Sequence, residues 1–294
     1  MRIIYKCNSF SLSMLLETIL ASITLFTLAI ATFTDIKNRE VPDWLSYGFL
    51  FAIIGIRILF SLEQGVTILW NGLLGMFLFF LPALLLYRTN QWGGADSKLL
   101  IGLGGVLGIT LPLQSASLNL LWFFLLLLFV GALFGLLWMG MLSLKTPAAV
   151  IQACKEKLQE WKYLHLSAAG ASALFLSLTI FVHYLFIPFV IIPLAVFYLF
   201  LFISAVEKTC FYRKVLPEHL AEGDWLAEPV QSNGKIIIKK KALETQEIFQ
   251  LQKHMRGKKV LIKDGVPFVP SFLLAFLLFW WMTAQGISLW SILW

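Results

Sequence analysis

Apolar runs of about 20 residues recur along the chain, at residues 15–34, 44–61, 67–87, 97–113, 118–142, 167–185, 187–206 and 268–286, and no other feature constrains its fold as strongly. An α-helix rises about 1.5 Å per residue, so each run predicts a helix able to cross a hydrocarbon layer about 30 Å thick. With 59% hydrophobic and 13% charged residues, the chain has too little polar surface to keep such helices in water. The expected fold is an all-α polytopic membrane protein of about eight transmembrane helices. The stretch 167–206 is long enough for two spans, and Pro188 and Pro193 suit a break near its middle; a single tilted helix with a re-entrant piece is the alternative. Residues 1–13 are too polar for the apolar centre of a signal peptide, so the first span is expected to be retained.

Of the 23 Lys and Arg residues, only Arg2, Lys6 and Arg57 fall on, or inside a span near, one side of the alternation. The rest follow spans one, three, five and seven, which makes those segments cytoplasmic and both termini external. The net charge of +7 is thus a topology signal, with attraction to anionic membrane lipids as its second consequence and no pattern suited to nucleic acid. Cys7, Cys154 and Cys210 form no CxxC pair, and the four histidines are scattered. Neither a disulfide framework, a metal site nor a cofactor follows. His183, alone in an apolar stretch, reads as a hydrogen-bonded packing residue.

One sizeable polar region, residues 207–266, precedes the last span and is cytoplasmic by its lysines. "DWLAEPV", "KIIIKKK" and "KKVLIKDG" read as strands, the first two separated by Ser232, Asn233 and Gly234. "TQEIFQLQKHMR" reads as a helix with Thr245 as its cap and Gly257 as its stop. The expectation is a small α+β lobe whose lysines form a solvated face, or a surface for an acidic partner or lipid.

"TFTDIKNREVPDW" ends the first span on Asp35, and "QWGGADSKLLIGLGG" opens the fourth on Asp96. Span one runs inward and span four outward, so both carboxylates reach the same cytoplasmic depth. Ionisable groups at membrane depth are costly, and two carboxylates brought together can share one proton, the arrangement of an aspartic protease. Gly93, Gly94 and Ala95 lack bulk and would let an extended substrate backbone approach Asp96; a flexible loop is the bland alternative. A transporter or channel using Asp35 and Asp96 as proton or cation relays is the rival from another class, although the sequence has neither mid-span acids nor an internal repeat.

"GGAD" followed by "SKLL" resembles the G-x-G-D motif of intramembrane aspartic proteases, and "DIKNREVPDW" resembles the corresponding stretch of type IV prepilin peptidases. The closing "KKVLIKDGVPFVPSFLLAF" resembles the archaeal branch, the preflagellin peptidases, which have a small cytoplasmic lobe before the last helix. The resemblance implies a membrane endopeptidase that removes the short basic leader of pilin-like or archaellin precursors at the cytoplasmic face of the plasma membrane, without a metal. It makes Asp35 and Asp96 the catalytic pair, with Gly93, Gly94 and Ala95 beside the substrate. Ala95 stands where many relatives have glycine, a small change where φ is negative. The absence of paired cysteines argues for cleavage without methylation of the new N-terminus. The implied division is a transmembrane domain over residues 1–206 with its catalytic core in 15–113, the lobe over 207–266, and a final helix over 267–294.

Around the pair, Asp43 after Pro42 reads as a helix-start residue that complements the dipole and caps free N–H groups. Lys37 and Arg39 read as interfacial anchors, or as groups that tune Asp35. Lys98 should point away from Asp96. Gly104 with Gly108, and Gly131 with Gly135, read as small-xxx-small packing pairs.

Overall fold

The computed structural model describes residues 2–89, 91–110, 118–220, 223–232, 235–238, 243, 245–255 and 257–287. Asn233 and Gly234 of the expected turn, Lys239 to Lys241 of the expected second strand, and the end of the fourth apolar run at 111–113 lie outside these residues. The chain forms two compact units, Met1–Gly135 with Pro267–Trp294, and Leu136–Val266.

The first unit contains α1 (Arg2–Asn38), α2 (Asp43–Gln64), α3 (Thr67–Arg88), α4 (Gly94–Leu107), the first part of α5 (Asn119–Ser143), and α10 (Val269–Ala284). Among the described residues, α1, α2, α3 and α5 are long and apolar enough to cross a membrane, as are α7 and α8 of the second unit. The chain is a mostly helical, multi-pass membrane protein. α4 and α10 are shorter, and α4 differs from expectation at both ends: it starts at Gly94 and stops at Leu107 instead of running through 97–113. Its stop is Gly108, where φ of 62° leaves the helical region. At about 1.5 Å per residue its 14 residues span about 21 Å, short of a full crossing.

Water does not drive helices together inside a bilayer, so close backbone approach has to do so. A Cβ on Gly75 of α3 would meet the Gly104 carbonyl oxygen at 2.1 Å, and one on Gly104 would meet the Gly75 carbonyl oxygen at 2.4 Å. The reading of Gly104 as a packing residue therefore holds, with Gly75 as its partner. Gly131 is filled against the Phe268 ring, but a Cβ on Gly135 would meet nothing, so the second small-residue pair packs at one member only. Elsewhere Leu28, Ile53, Leu99, Leu103, Phe123, Phe272 and Phe276 are wholly or almost wholly buried.

Arg57 is likewise buried, within α2. Its Nε donates to the Gly105 carbonyl at 2.6 Å, Nη1 to Ile68 at 2.8 Å and Nη2 to Val106 at 3.0 Å. A guanidinium thus satisfies the last carbonyls of α4, which water cannot reach in a membrane, and opposes the negative end of its dipole. Gly72 supplies the space: a Cβ there would strike the Arg57 side chain at 2.1 Å.

The second unit holds the end of α5, α6 (Pro147–Glu160), α7 (Lys162–Phe181), α8 (Ile187–Cys210) and a small α+β lobe. α6, with Pro147 in its first turn, is a helix between the expected fifth and sixth spans, where the sequence reading named no element. Its Glu156 pairs with Lys208 of α8 at 2.8 Å, which holds that carboxyl below the usual range. The run 167–206 is broken into α7 and α8 as the two-span alternative requires. Pro188 lies in the first turn of α8, Pro193 lies inside it, and His183 accepts the Leu185 N–H at 3.2 Å at the break.

In the lobe, β1 (Tyr212–Val215), β5 (Val260–Lys263) and β2 (Trp225–Leu226) form an antiparallel sheet with β5 central, and β3 (Val230–Ser232) pairs with β4 (Lys235–Ile238). "DWLAEPV" is thus two short strands in two sheets, and β1 is an additional strand. Thr245 is the first residue of α9 (Thr245–His254) and not a flanking cap, whereas Gly257 follows that helix with φ of 73°. Leu226, Leu251, Val260 and Ile262 form the lobe's own small core.

Candidate active site

Asp35 lies in the last turn of α1. The turn after it is set by Arg39, whose φ of 62° reverses the chain while its N–H donates to the Asp35 carbonyl at 2.9 Å. A non-glycine residue in this left-handed conformation is strained by roughly 1 kcal/mol. Lys37 rests 5.7 Å above the Phe33 ring, as an interfacial anchor would. Only 8% of Asp35 is exposed, and its Oδ2 accepts the Val269 N–H of α10 at 3.1 Å.

Asp96 is the third residue of α4 and is partly buried. Its Oδ2 accepts the Gly93 N–H at 3.1 Å, closing a capping arrangement on its own helix. Ser97 bonds back to the Gly93 carbonyl at 3.1 Å and tightens the same turn. Ala95 lies within α4, and among the described residues Arg39 is the one non-glycine with positive φ, so alanine fits there without strain. Gly93 and Gly94 are exposed, and added Cβ atoms would meet only Asp96 Oδ2 at 3.5 Å and the Tyr87 ring at 3.9 Å. The backbone beside Asp96 is therefore bare and open.

The ends of α1 and α4 bring the two carboxylates within electrostatic reach of one another. Asp43, one helix start away, is not part of this pair. Pro42 holds the N-cap position, and the Asp43 carboxylate bonds Lys98 Nζ at 2.6 Å, while that ammonium also sits 4.1 Å above the Tyr47 ring. The capping role expected for Asp43 is replaced by an ion pair, which takes Lys98 off the Asp96 face.

Sequence reasoning missed α10 altogether as a contributor to the site. Trp92, directly before the two glycines, packs on Phe268 at 5.1 Å and on Phe272 at 5.5 Å between ring centroids, tying the Asp96 loop to the start of that helix. The aromatics of "QWGGAD" and "VPFVPSF" were visible signals, but their pairing was not. Among the described residues no three His, Cys, Asp or Glu side chains cluster as metal ligands would.

Residues 22–140 match the family model of the type IV leader peptidase family. Comparisons with curated proteins and with solved structures returned no match. The matched segment holds both aspartates, the glycines beside Asp96 and the Arg57 anchor of α4, and over these residues the chain is similar to the type IV leader peptidase family.

Proposed function

We propose that this protein is an aspartic endopeptidase that removes the short basic leader of pilin-like or archaellin precursors at the cytoplasmic face of the plasma membrane, with Asp35 and Asp96 as its catalytic pair. The observation that supports this most directly is the mutual approach of those two carboxylates, one at the end of α1 and one at the start of α4, inside the family segment.

Like charges within electrostatic reach of one another resist ionising together, so in this reading the pair holds one proton. The ionised carboxylate takes a proton from water as the oxygen attacks the scissile carbonyl carbon, and the protonated one gives its proton to the carbonyl oxygen. As the tetrahedral intermediate collapses, the C–N bond breaks while one carboxyl gives its proton to the leaving amine nitrogen and the other carboxylate takes a hydroxyl proton from the intermediate, so the pair again holds one. The open backbone at Gly93 and Gly94 suits an extended substrate strand, which a bulkier loop would exclude. The lysine-rich segments after spans one, three, five and seven support a cytoplasmic position for this end of the helices and for the lobe, and external termini across eight spans.

The purified protein, incubated with pilin and archaellin precursors, should release a short leader and leave a new N-terminus readable by mass spectrometry. Intact precursors throughout the panel, under conditions where the protein remains folded, would refute the reading.

A further inference from the structure

We propose that the α+β lobe carries a binding pocket for a phosphate group, built from Arg213, Lys214, His219 and Lys259. The pocket belongs to the second unit, whereas both aspartates belong to the first. It stands apart from the protease reading, and its test needs no cleavage.

Val215, the last residue of β1, pairs with Val260, the first of β5, so Lys259 comes level with the end of β1. Directly after β1 the chain enters a 3₁₀ turn, Pro217–His219, in which the His219 N–H donates to the Leu216 carbonyl at 2.9 Å. The strand, the turn and the residue before β5 enclose a pocket of about 360 Å³, lined by Arg213, Lys214, Val215, Leu216, His219 and Lys259. That volume falls in the range of small-ligand sites, about 300–1,000 Å³. Three of the lining residues are lysine or arginine, one is histidine, and none is acidic.

Other basic residues of this unit are compensated: Lys208 pairs with Glu156 and Lys263 with Glu207. Arg213 Nε bonds Asp264 Oδ2 at 2.9 Å, which fixes the guanidinium and offsets part of its charge. Among the described residues, the exposed Lys214, His219 and Lys259 form no ion pair or side-chain hydrogen bond. Glu218, exposed in the same turn, does not line the pocket. Cations gathered without a carboxylate repel one another, and a bound anion removes that cost. A phosphate group brings negative charge together with several acceptor oxygens, which suits ammonium and ring N–H donors converging from three pieces of chain. The position of the pocket points to a source. α8 is apolar and long enough to cross a membrane and ends at Cys210, three residues before Arg213 and four before Lys214. An extended chain covers at most about 3.6 Å per residue, so these two lie within about 11 and 14 Å of the end of the span. Lipid headgroups occupy about 5–8 Å beyond the hydrocarbon, and basic clusters beside a span attract the anionic ones. An anionic phospholipid and a free phosphate ion carry the same chemistry, and the probes below tell them apart.

The test titrates the full-length protein in a non-ionic detergent, by microscale thermophoresis, with dihexanoyl phosphatidylglycerol, dihexanoyl phosphatidylcholine and inorganic phosphate. Phosphatidylglycerol should bind, and Lys214→Gln/Lys259→Gln should weaken it about 25-fold, since each lysine beside an anionic headgroup contributes about fivefold. Lys155→Gln/Lys253→Gln removes the same charge from exposed positions of α6 and α9 outside the pocket, and should change the affinity by no more than about twofold because such charges are screened. Phosphatidylcholine, whose choline cancels the phosphate charge, should bind more weakly than phosphatidylglycerol. Inorganic phosphate binding as tightly as the lipid, with the same dependence on Lys214 and Lys259, would support the pocket and name the free ion as its ligand. Equal losses in the two double variants, an unchanged affinity in the pocket variant, or binding of none of the three probes overturns the proposal.

Discussion

Gly75→Ala tests whether the crossing of α3 and α4 positions the second aspartate. The added Cβ would lie 2.1 Å from the Gly104 carbonyl oxygen and 2.9 Å from the Gly108 Cα, both backbone atoms that cannot swing aside. Ordinary contact needs about 3.5 Å, so the helices must part by about 1.4 Å at this point. Overpacking of this kind costs about 1–3 kcal/mol. Gly104 is eight residues from Asp96, or about 12 Å along α4, so part of the movement can be absorbed as tilt. A displacement approaching 1 Å at a reacting group lowers rates by as much as about 100-fold, and with tilt a loss of kcat/KM between about 10- and 100-fold is expected. Gly104→Ala should behave alike, because its Cβ strikes the Gly75 carbonyl from the other side, and the two substitutions together should cost less than their sum. Gly135→Ala, with nothing near its Cβ, should be neutral. Thermal unfolding in detergent and cleavage of a precursor peptide measure both quantities. Wild-type melting and turnover in Gly75→Ala would refute the close-packing argument.

Asp35→Asn and Asp96→Asn should each abolish nearly all cleavage while the protein still inserts, and the double variant should be little worse because the pair acts as a unit; Asp43→Asn, which only weakens an exposed ion pair, should retain much of the activity. Arg57→Leu leaves three carbonyls without donors at about 1–3 kcal/mol each and should lower the melting temperature sharply, with Arg57→Lys recovering only part because an ammonium cannot reproduce the planar fork. Arg39→Gly removes strain worth roughly 1 kcal/mol and so should preserve melting.

What was legible in the sequence follows from which signals are local. An apolar run declares a spanning helix wherever it sits, and a carboxylate at the end of such a run is conspicuous because the alternative residues there are apolar or basic. Asp35 and Asp96 could be paired on paper because alternating helix direction places both at one depth. Glycines were legible as packing residues, but a spacing rule cannot name the partner: Gly104 meets Gly75, and Gly135 meets nothing. The stop of α4 was hidden because Gly108 lies in a continuous apolar run, and only its backbone conformation ends the helix. α6 escaped because a short amphipathic helix between spans has the composition of a linker.

The partner of Asp35 was hidden for a deeper reason. Every residue but proline carries the same N–H, so nothing in the letters marks Val269 as the donor, 234 positions away. The side-chain code names groups that differ, whereas a helix start supplies its donors through geometry alone. Pro267 and Pro270 around "FV" mark where a helix begins, which narrows the search to a few amides, but only the packing of α1 against α10 selects among them. A carboxylate supported by backbone tolerates wide change in the supporting side chains, provided the helix still begins at that residue. It follows that shifting the start of α10 by one residue should disturb the site more than replacing any one of its apolar side chains.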